Sequence, residues 1–401
     1  MSESVKVQIE NQDFRLNPNN ELRFEVNNKN EKVVLKLKNG EAEIFGTKLV
    51  KGKLYTFYFG AKIAVFTWHG CSLKLRGKKG ISYISKETPM MVYLYCHVLL
   101  EQLRSTSENK KIRGPVTMVV GPTDVSKSTL CRILLNYSTR VISPGHRPIY
   151  VNLDPSQGEI SVPGTIGAVM VEKAAEVEAS FSQAVPLVYH YGHTNISINS
   201  TLYNTLVSHM AKVIHQRMED NFRIRKNILK RYELGMEFTK SWLSCNSSLL
   251  LTKLIQHHTV VERSNKFRLE SREARIREFF YGNPRNVLHP HLCEVSFSDI
   301  KVYRIGVPSI PNTLMPLDMQ KTDLETKLEP VTPGPNMMHH ILALSFSTTV
   351  EDVVRTSATD FVCVTNVDTS RQMLTLLSPQ PKPLPETIYL MSDVQFMDNN
   401  A

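Results

Sequence analysis

The sequence has no paired cysteines. Its six, Cys71, Cys96, Cys131, Cys245, Cys293 and Cys363, are scattered, and none forms a CxxC unit. That excludes a disulfide-framed secreted scaffold and a zinc site of recognisable spacing, and it predicts reduced thiols in the cytosol or nucleus. No apolar run is long enough to span a bilayer. The start, MSESVKVQIE, is polar and carries no signal peptide. The expectation is an intracellular protein without a membrane partner. No charge extreme marks a disordered chain either: 21% of residues are charged and 41% are hydrophobic, as in globular domains.

What is present begins with size and sign. The 401 residues suffice for two or three cores, and the formal net charge is +10. A basic excess tilts toward a polyanionic partner such as RNA or DNA.

The chain is organised around VTMVVGPTDVSKSTLCRILL, Val116 to Leu135. Val116-Thr117-Met118-Val119-Val120 suits a strand buried on both faces. A turn through Gly121 to Ser126 follows. Lys127-Ser128-Thr129 then open a stretch in which Leu130, Ile133 and Leu134 carry a helical period. Strand, tight loop, Lys-Ser and helix is the order of a phosphate-binding P-loop. Loop N–H groups and the helix N-terminus converge on one spot and favour an anion there. Lys127 would reach the outer phosphates and Ser128 would ligate Mg²⁺. The pattern asks for Gly before the Lys, and Ser126 stands there instead. If that position is left-handed, Ser costs roughly 1–2 kcal/mol. An ordinary strand–turn–helix has the same hydrophobic pattern.

Before this stretch, Phe14 to Ser85 alternates in short segments, with Asn39-Gly40 as a hairpin signal. Many short strands predict a small antiparallel sandwich or barrel. Leu94 to Leu103 reads as helix, and the polar run Ser105 to Lys111 as a linker. Beyond the P-loop, Ile149 to Leu153 is an apolar strand ending at Asp154. There P-loop enzymes place a metal contact or base, and a turn before Pro155 would equally account for it. Pro163 to Ala168 reads as a Gly-rich connection, and Leu202 to Met218 as a helix.

Arg223 to Lys226 with Lys230-Arg231 form a basic cluster, which fits a solvated helix face or an RNA contact. Arg268, Arg272, Arg275 and Arg277 fall in a second helix, Val261 to Tyr281. It reads as a salt-bridged surface helix or as a lid over transferring phosphate. From His291 onward, short strands between Pro-rich turns predict an all-β domain. His289, His291, Cys293, His339 and His340 form no ligand quartet.

Several motifs together carry a family resemblance. GPTDVSKSTLCRILLNY, NLDPSQG with VPGTIGA, LVYHYG and VERSNKFR with RIREFFYG resemble the eukaryotic Clp family. So do ELRFEV, AEIFGTKL and AKIAVFTWHGC before them, and FSDIKVYRIGVPSIP and SDVQFMD after them. The family consists of P-loop polynucleotide 5′-hydroxyl kinases of the pre-mRNA 3′-end cleavage complex.

The resemblance implies an α/β fold in three parts. An N-terminal β-sandwich (1–105) and a C-terminal all-β domain (291–401) would flank a central P-loop NTPase-like parallel sheet domain (106–290). It implies ATP and Mg²⁺ as cofactors. Gly121, Asp124, Val125, Ser126, Lys127, Ser128 and Thr129 would cradle the phosphates, with Glu21 and Lys62 contacting the nucleotide. Ser128 and Gln157 would sit at the metal. Lys127, Asp154, Arg272 and Arg277 would be catalytic, with Asp154 as base toward an RNA 5′-hydroxyl. The implied partners are RNA 5′ ends, a scaffold subunit of the cleavage complex and the tRNA-splicing endonuclease, in the nucleus.

Two departures stand against this pattern. Ser126 replaces Gly. Residues 221–260 lack the family's Thr-Cys-Gly-Trp-type segment and its strand ending Leu-Asp-Gln, and Trp242 has the wrong neighbours. Loss of an inner strand predicts an opened sheet. Two functions therefore stay open, an active kinase and a nucleotide-stabilised assembly subunit.

Overall fold

The computed structural model describes residues 11–28, 31–77, 80–112, 114–121, 124–140, 147–178, 181, 186–220, 228–233, 249–253, 264–283, 286–306, 326–347, 349–381, 383–385 and 388–398. The first part is built from β1 (Asn11–Leu16), β2 (Glu21–Glu25), β3 (Val33–Gly40), β4 (Glu43–Ile44), β5 (Thr47–Lys48), β6 (Leu54–Phe57), β7 (Lys62–Phe66), β8 (Cys71–Arg76) and β9 (Ser82–Ser85). They form two sheets, ordered β1-β8-β3-β6 and β5-β4-β7-β2-β9. Alternation explains the packing: Val33, Leu35 and Leu37 point in, and so do Leu73 and Leu75. Leu22, Phe24, Tyr55 and Phe57 complete one core between the sheets. Asn39-Gly40 does not make a two-residue hairpin. Gly40 is left-handed (φ 80°), and the chain leaves β3 for the other sheet there.

Helix α1 (Met90–Asn109) follows. It continues through Ser105–Asn109, where the polar composition predicts a linker. The Thr106 hydroxyl bonds back to the Gln102 carbonyl at 2.8 Å and the Ser107 hydroxyl to that of Leu103 at 2.7 Å, which satisfies both hydroxyls within the helix.

The central part holds β10 (Val116–Gly121), α2 (Lys127–Arg140), β11 (Ile149–Asn152), β12 (Thr165–Met170), β13 (Leu187–His190), α3 (Ser200–Asp220), β14 (Ile228–Glu233), β15 (Leu249–Lys253) and α4 (Asn265–Tyr281). Its sheet runs β13-β12-β11-β14-β10-β15. The four strands β11, β14, β10 and β15 are parallel, and β12 and β13 extend them antiparallel. The sheet is therefore mixed, and Thr165 to Ala168 is strand where its glycines suggest a connection. Gly167 allows this, since a Cβ there would lie 3.2 Å from Ile160.

The divergent stretch does not open the sheet. β14 pairs with β10 on one side and β11 on the other, and β15 covers the far side of β10. Lys230 and Arg231 thus lie in a strand rather than on a helix face. A slot between two parallel strands satisfies backbone donors and acceptors whatever the side chains. Arg223 to Lys226 and Trp242 lie outside the described residues.

The last part follows a short pair, β16 (Gly282–Asn283) and β17 (Asn286–Val287). It comprises β18 (His291–Ser296), β19 (Lys301–Ile305), β20 (Leu328–Pro330), β21 (His340–Ser345), β22 (Ala358–Asp368), β23 (Met373–Ser378) and β24 (Ile388–Gln395). Its seven-stranded sheet is ordered β18-β23-β22-β21-β24-β19-β20. It shares one apolar core with the central part. His193 and Arg304 both reach Asp393, at 2.6 and 2.8 Å. Pro308–Pro311 lies outside the described residues. Among the described residues, no helix is long and apolar enough to cross a membrane.

Candidate nucleotide-binding site

β10 is buried at all six positions, lying between β14 and β15 with α2 packed against it. It delivers the chain to Gly121. Asp124 and Ser126 then adopt left-handed conformations, φ 61° and 65°. Ser126 is therefore strained, by about 1–2 kcal/mol. Its carbonyl accepts from Leu130 N–H at 3.0 Å, so it is the residue on which α2 starts. Val125 is buried at 4% exposure and anchors the loop from behind. Lys127, also 4% exposed, donates from Nζ to the Gly121 carbonyl at 2.9 Å. One ammonium thus ties both ends of the loop and sits inside it.

Asp154 follows β11 and is 3% exposed. Its Oδ1 accepts from Ser156 N–H at 2.9 Å, and its own N–H donates to Asn152 Oδ1 at 3.1 Å. The turn before Pro155 and the placement of a carboxylate are one and the same structure. Helix α4 closes over it. Ser264 caps the helix by accepting from Phe267 N–H at 3.2 Å. Arg272 Nε donates to the Ser156 carbonyl at 2.8 Å. Burial lowers the pKa of Arg272, the Asp154 charge opposes that shift, and Arg268 adds to it. Arg268 pairs with Asp124 at 2.7 Å.

The opposite wall comes from the N-terminal sandwich. Glu21 is 4% exposed, accepts from Arg23, and takes the Thr88 hydroxyl at 2.8 Å. Lys62 Nζ lies 3.3 Å from Glu25 and 5.4 Å from the centroid of the Phe267 ring on α4. Phe66, Tyr83 and Tyr93 make this wall aromatic. Asp124, Ser126, Lys127, Ser128 and Thr129 line the other, with Asp154 and Gln157 between them. The cleft encloses about 530 Å³, within the usual range for ligand sites.

The sandwich holds the P-loop helix firmly. Asn136 on α2, fully buried, donates to the Phe45 carbonyl at 2.8 Å and to the Thr47 hydroxyl at 3.1 Å. It also accepts from Ala175 N–H at 2.8 Å. Tyr137 and Arg140 both reach Glu43. Gly46 is left-handed, and a Cβ there would lie 3.2 Å from Asn136. Helix and sandwich meet at this glycine.

The structure thus brings Glu21, Lys62, Asp124, Ser126, Lys127, Ser128, Thr129, Asp154 and Gln157 to one cleft. Arg272 stands at its edge on the Ser156 carbonyl. Arg277 does not join them. Its guanidinium lies over the rings of Tyr281 and Phe396 and 3.8 Å from Asp398, binding α4 to the C-terminal sheet. Arg268 takes the place over the loop. It lies four residues before Arg272, so helical spacing alone puts the two on one face. Tyr83 and Tyr93 carry no sequence signal of their role.

Ser128 hydroxyl, Gln157 amide and Asp154 carboxylate are hard oxygen donors, the set that suits Mg²⁺. Among the described residues no group of three or more His, Cys, Asp or Glu could hold a metal.

Family models match the chain in three consecutive parts. Residues 15–107 match the N-terminal beta-sandwich domain of polyadenylation factor. Residues 121–230 match the mRNA cleavage and polyadenylation factor CLP1 P-loop, and residues 288–398 the pre-mRNA cleavage complex II protein Clp1. The chain is 46% identical to the CLP1 homolog of Anopheles gambiae, over 97% of this chain and 98% of that protein. It is 45% identical to the CLP1 homolog of Drosophila persimilis, over 98% and 99%. Among solved structures, Clp1p in complex with Pcf11p superposes with a TM-score of 0.80 at 20% identity, covering 97% of this chain and 99% of that one. A second structure, on an extended Pcf11p–Clp1p interface and ATP loss in a point mutant, superposes with the same score, identity and coverage. The chain belongs to the Clp1 family of pre-mRNA cleavage complex II proteins.

Proposed function

We propose that this protein is the nucleotide-binding Clp1 subunit of the nuclear pre-mRNA 3′-end cleavage machinery, with polynucleotide 5′-hydroxyl kinase activity. The observation that carries the reading is the convergence of Lys127, Ser128, Asp154 and Gln157 with Glu21 and Lys62 on one cleft. ATP is the substrate that fits. The aromatic wall of Phe66, Tyr83 and Tyr93 takes the base, and Lys127 and the loop take the phosphates. Ser128 and Gln157 would hold Mg²⁺, which neutralises phosphate charge.

Asp154 is the base. It is buried at the end of β11 and oriented by Ser156 N–H on its Oδ1, which places the carboxylate to take the proton of an RNA 5′-hydroxyl. The hydroxyl oxygen then bonds to the γ-phosphorus as the bond to the β-bridging oxygen breaks. Arg268 and Arg272 on α4 offset the charge on the transferring group.

The partners that follow are RNA 5′ ends and, as for Clp1p with Pcf11p, a scaffold subunit of the cleavage complex. The tRNA-splicing endonuclease is a further proposed partner. Transfer of the γ-phosphate from ATP to a 5′-hydroxyl oligoribonucleotide, abolished by Asp154→Asn, tests the reading.

Ser126 favours a second reading. A left-handed Ser weakens the loop where Gly would not. The nucleotide would then act as a clamp between sandwich and P-loop, without turnover. Stabilisation by ATP with no phosphoryl transfer would establish it.

A further inference from the structure

The sandwich has a second surface, on the side of β1-β8-β3-β6 away from its core. Alternation assigns the outward positions: Lys36 and Lys38 on β3, Lys74 and Arg76 on β8, Arg15 on β1. Asp13 is the one carboxylate among the outward residues of these four strands, and it pairs with Lys38 at 2.8 Å. The pair is exposed, at 40% and 63%. Five cations against one anion is not the mixed pattern of a solvated face. The sheet beside the cleft does mix signs, with Arg23, Glu25 and Lys62.

The cations occupy the wrong strands for a protective role. Lysines that block edge-to-edge aggregation sit on edge strands, whereas β8 and β3 are the two inner strands here. Lys36 stands directly opposite Lys74 in the antiparallel register. Like charges so placed weaken a sheet. Asp13 stands opposite Lys74 on its other side and is already paired with Lys38, so one carboxylate serves three ammonium groups, and an anion lying over Lys36 and Lys74 would offset the rest.

We propose that this face docks the sugar–phosphate backbone of single-stranded RNA, apart from the nucleotide cleft. Cations recur at about 6.7 Å along each strand and about 4.8 Å between strands, a lattice that a chain of phosphates can follow. No outward residue of these strands is aromatic. The contacts are therefore to backbone rather than to stacked bases, and are indifferent to sequence. An acidic peptide fits less well. Peptides are held by grooves or free sheet edges, and the inner strands of this flat face offer neither.

The test is fluorescence anisotropy on the full chain. The probe is a short oligouridylate already phosphorylated at its 5′ end, so that it is not an acceptor in the cleft. Lys36→Glu should weaken binding about tenfold and lower the slope of log K against log salt by about 1. It should leave the melting temperature level or higher, because the introduced carboxylate would face Lys74 across the ladder. ATP-dependent thermal protection should be unchanged, which separates this surface from the kinase reading. Lys127→Ala should leave affinity for this probe unchanged. Equal affinity and salt slope in wild type and Lys36→Glu would overturn the proposal. So would polyglutamate displacing the RNA at equal charge concentration, which would make the face a site for acidic protein segments.

Discussion

The Arg268 guanidinium reaches from α4 to the Asp124 carboxylate at 2.7 Å, joining residues 144 positions apart. The pair is mostly buried, at 21% and 10% exposure. It fixes the left-handed start of the phosphate loop to the helix that closes the cleft. A hydrogen-bonded charge pair of this kind contributes about 1.5–3 kcal/mol. Arg268→Ala is expected to weaken ATP binding at least about tenfold, read by calorimetric titration. Asp124→Ala should act in the same direction, and the double variant should lose less than the sum. Additive losses would mean that the two residues do not act through each other.

Ser126 sits at φ 65°, where a Cβ is unwelcome. Ser126→Gly removes that strain. The variant should bind ATP up to about fivefold to thirtyfold more tightly. A weaker variant would mean that the serine hydroxyl contributes more than its backbone costs.

Asn136 makes three hydrogen bonds from a fully buried position, tying α2 to the sandwich and to Ala175. At about 1 kcal/mol each, Asn136→Ala should cost about 3 kcal/mol. The melting temperature should fall by roughly 5–10 °C. Nucleotide affinity should fall with it, because the same helix carries Lys127 and Ser128.

Much of this was readable from sequence where local chemistry decides structure. Val116 to Val120 is apolar apart from Thr117, and it is buried throughout. Leu202 to Met218 has a helical period, and α3 spans it. Asp154 could be named because a strand, a carboxylate and a proline follow in order. Most of the failures share a cause, which is that long-range partners overrode local pattern. Ser105 to Asn109 is the local exception, polar yet helical, with the Thr106 and Ser107 hydroxyls taken up by carbonyls of the preceding turn. Asn39-Gly40 turns the chain between sheets rather than back on itself. Lys230 and Arg231 look like surface residues, and β14 takes its place from the ladders of β10 and β11. Arg277 and Arg268 differ only in which face of α4 meets the cleft, and that face is set by packing on Phe396 and Phe280.

His190 gives the fold a pH dependence. It is 6% exposed, and burial, reinforced by nearby His193, lowers its pKa from 6.5 to about 4. The folded state holds it neutral while the unfolded chain protonates it below about 6.5. The stability is fully present above 6.5 and is lost as pH falls from there toward 4, on the order of 3 kcal/mol in all. Urea unfolding at about pH 7.5 and about pH 5 should show the loss, and His190→Phe should flatten it. An unchanged pH slope in that variant would assign the effect elsewhere.

The central claim is phosphoryl transfer from this cleft, and γ-labelled ATP with a short 5′-hydroxyl RNA and Mg²⁺ tests it most directly. Lys127→Ala is run alongside. The account predicts label on the RNA with the wild-type chain and none with the variant. ATP-dependent protection against unfolding without any label on the RNA would contradict it, and would leave the nucleotide as a clamp between the sandwich and the P-loop.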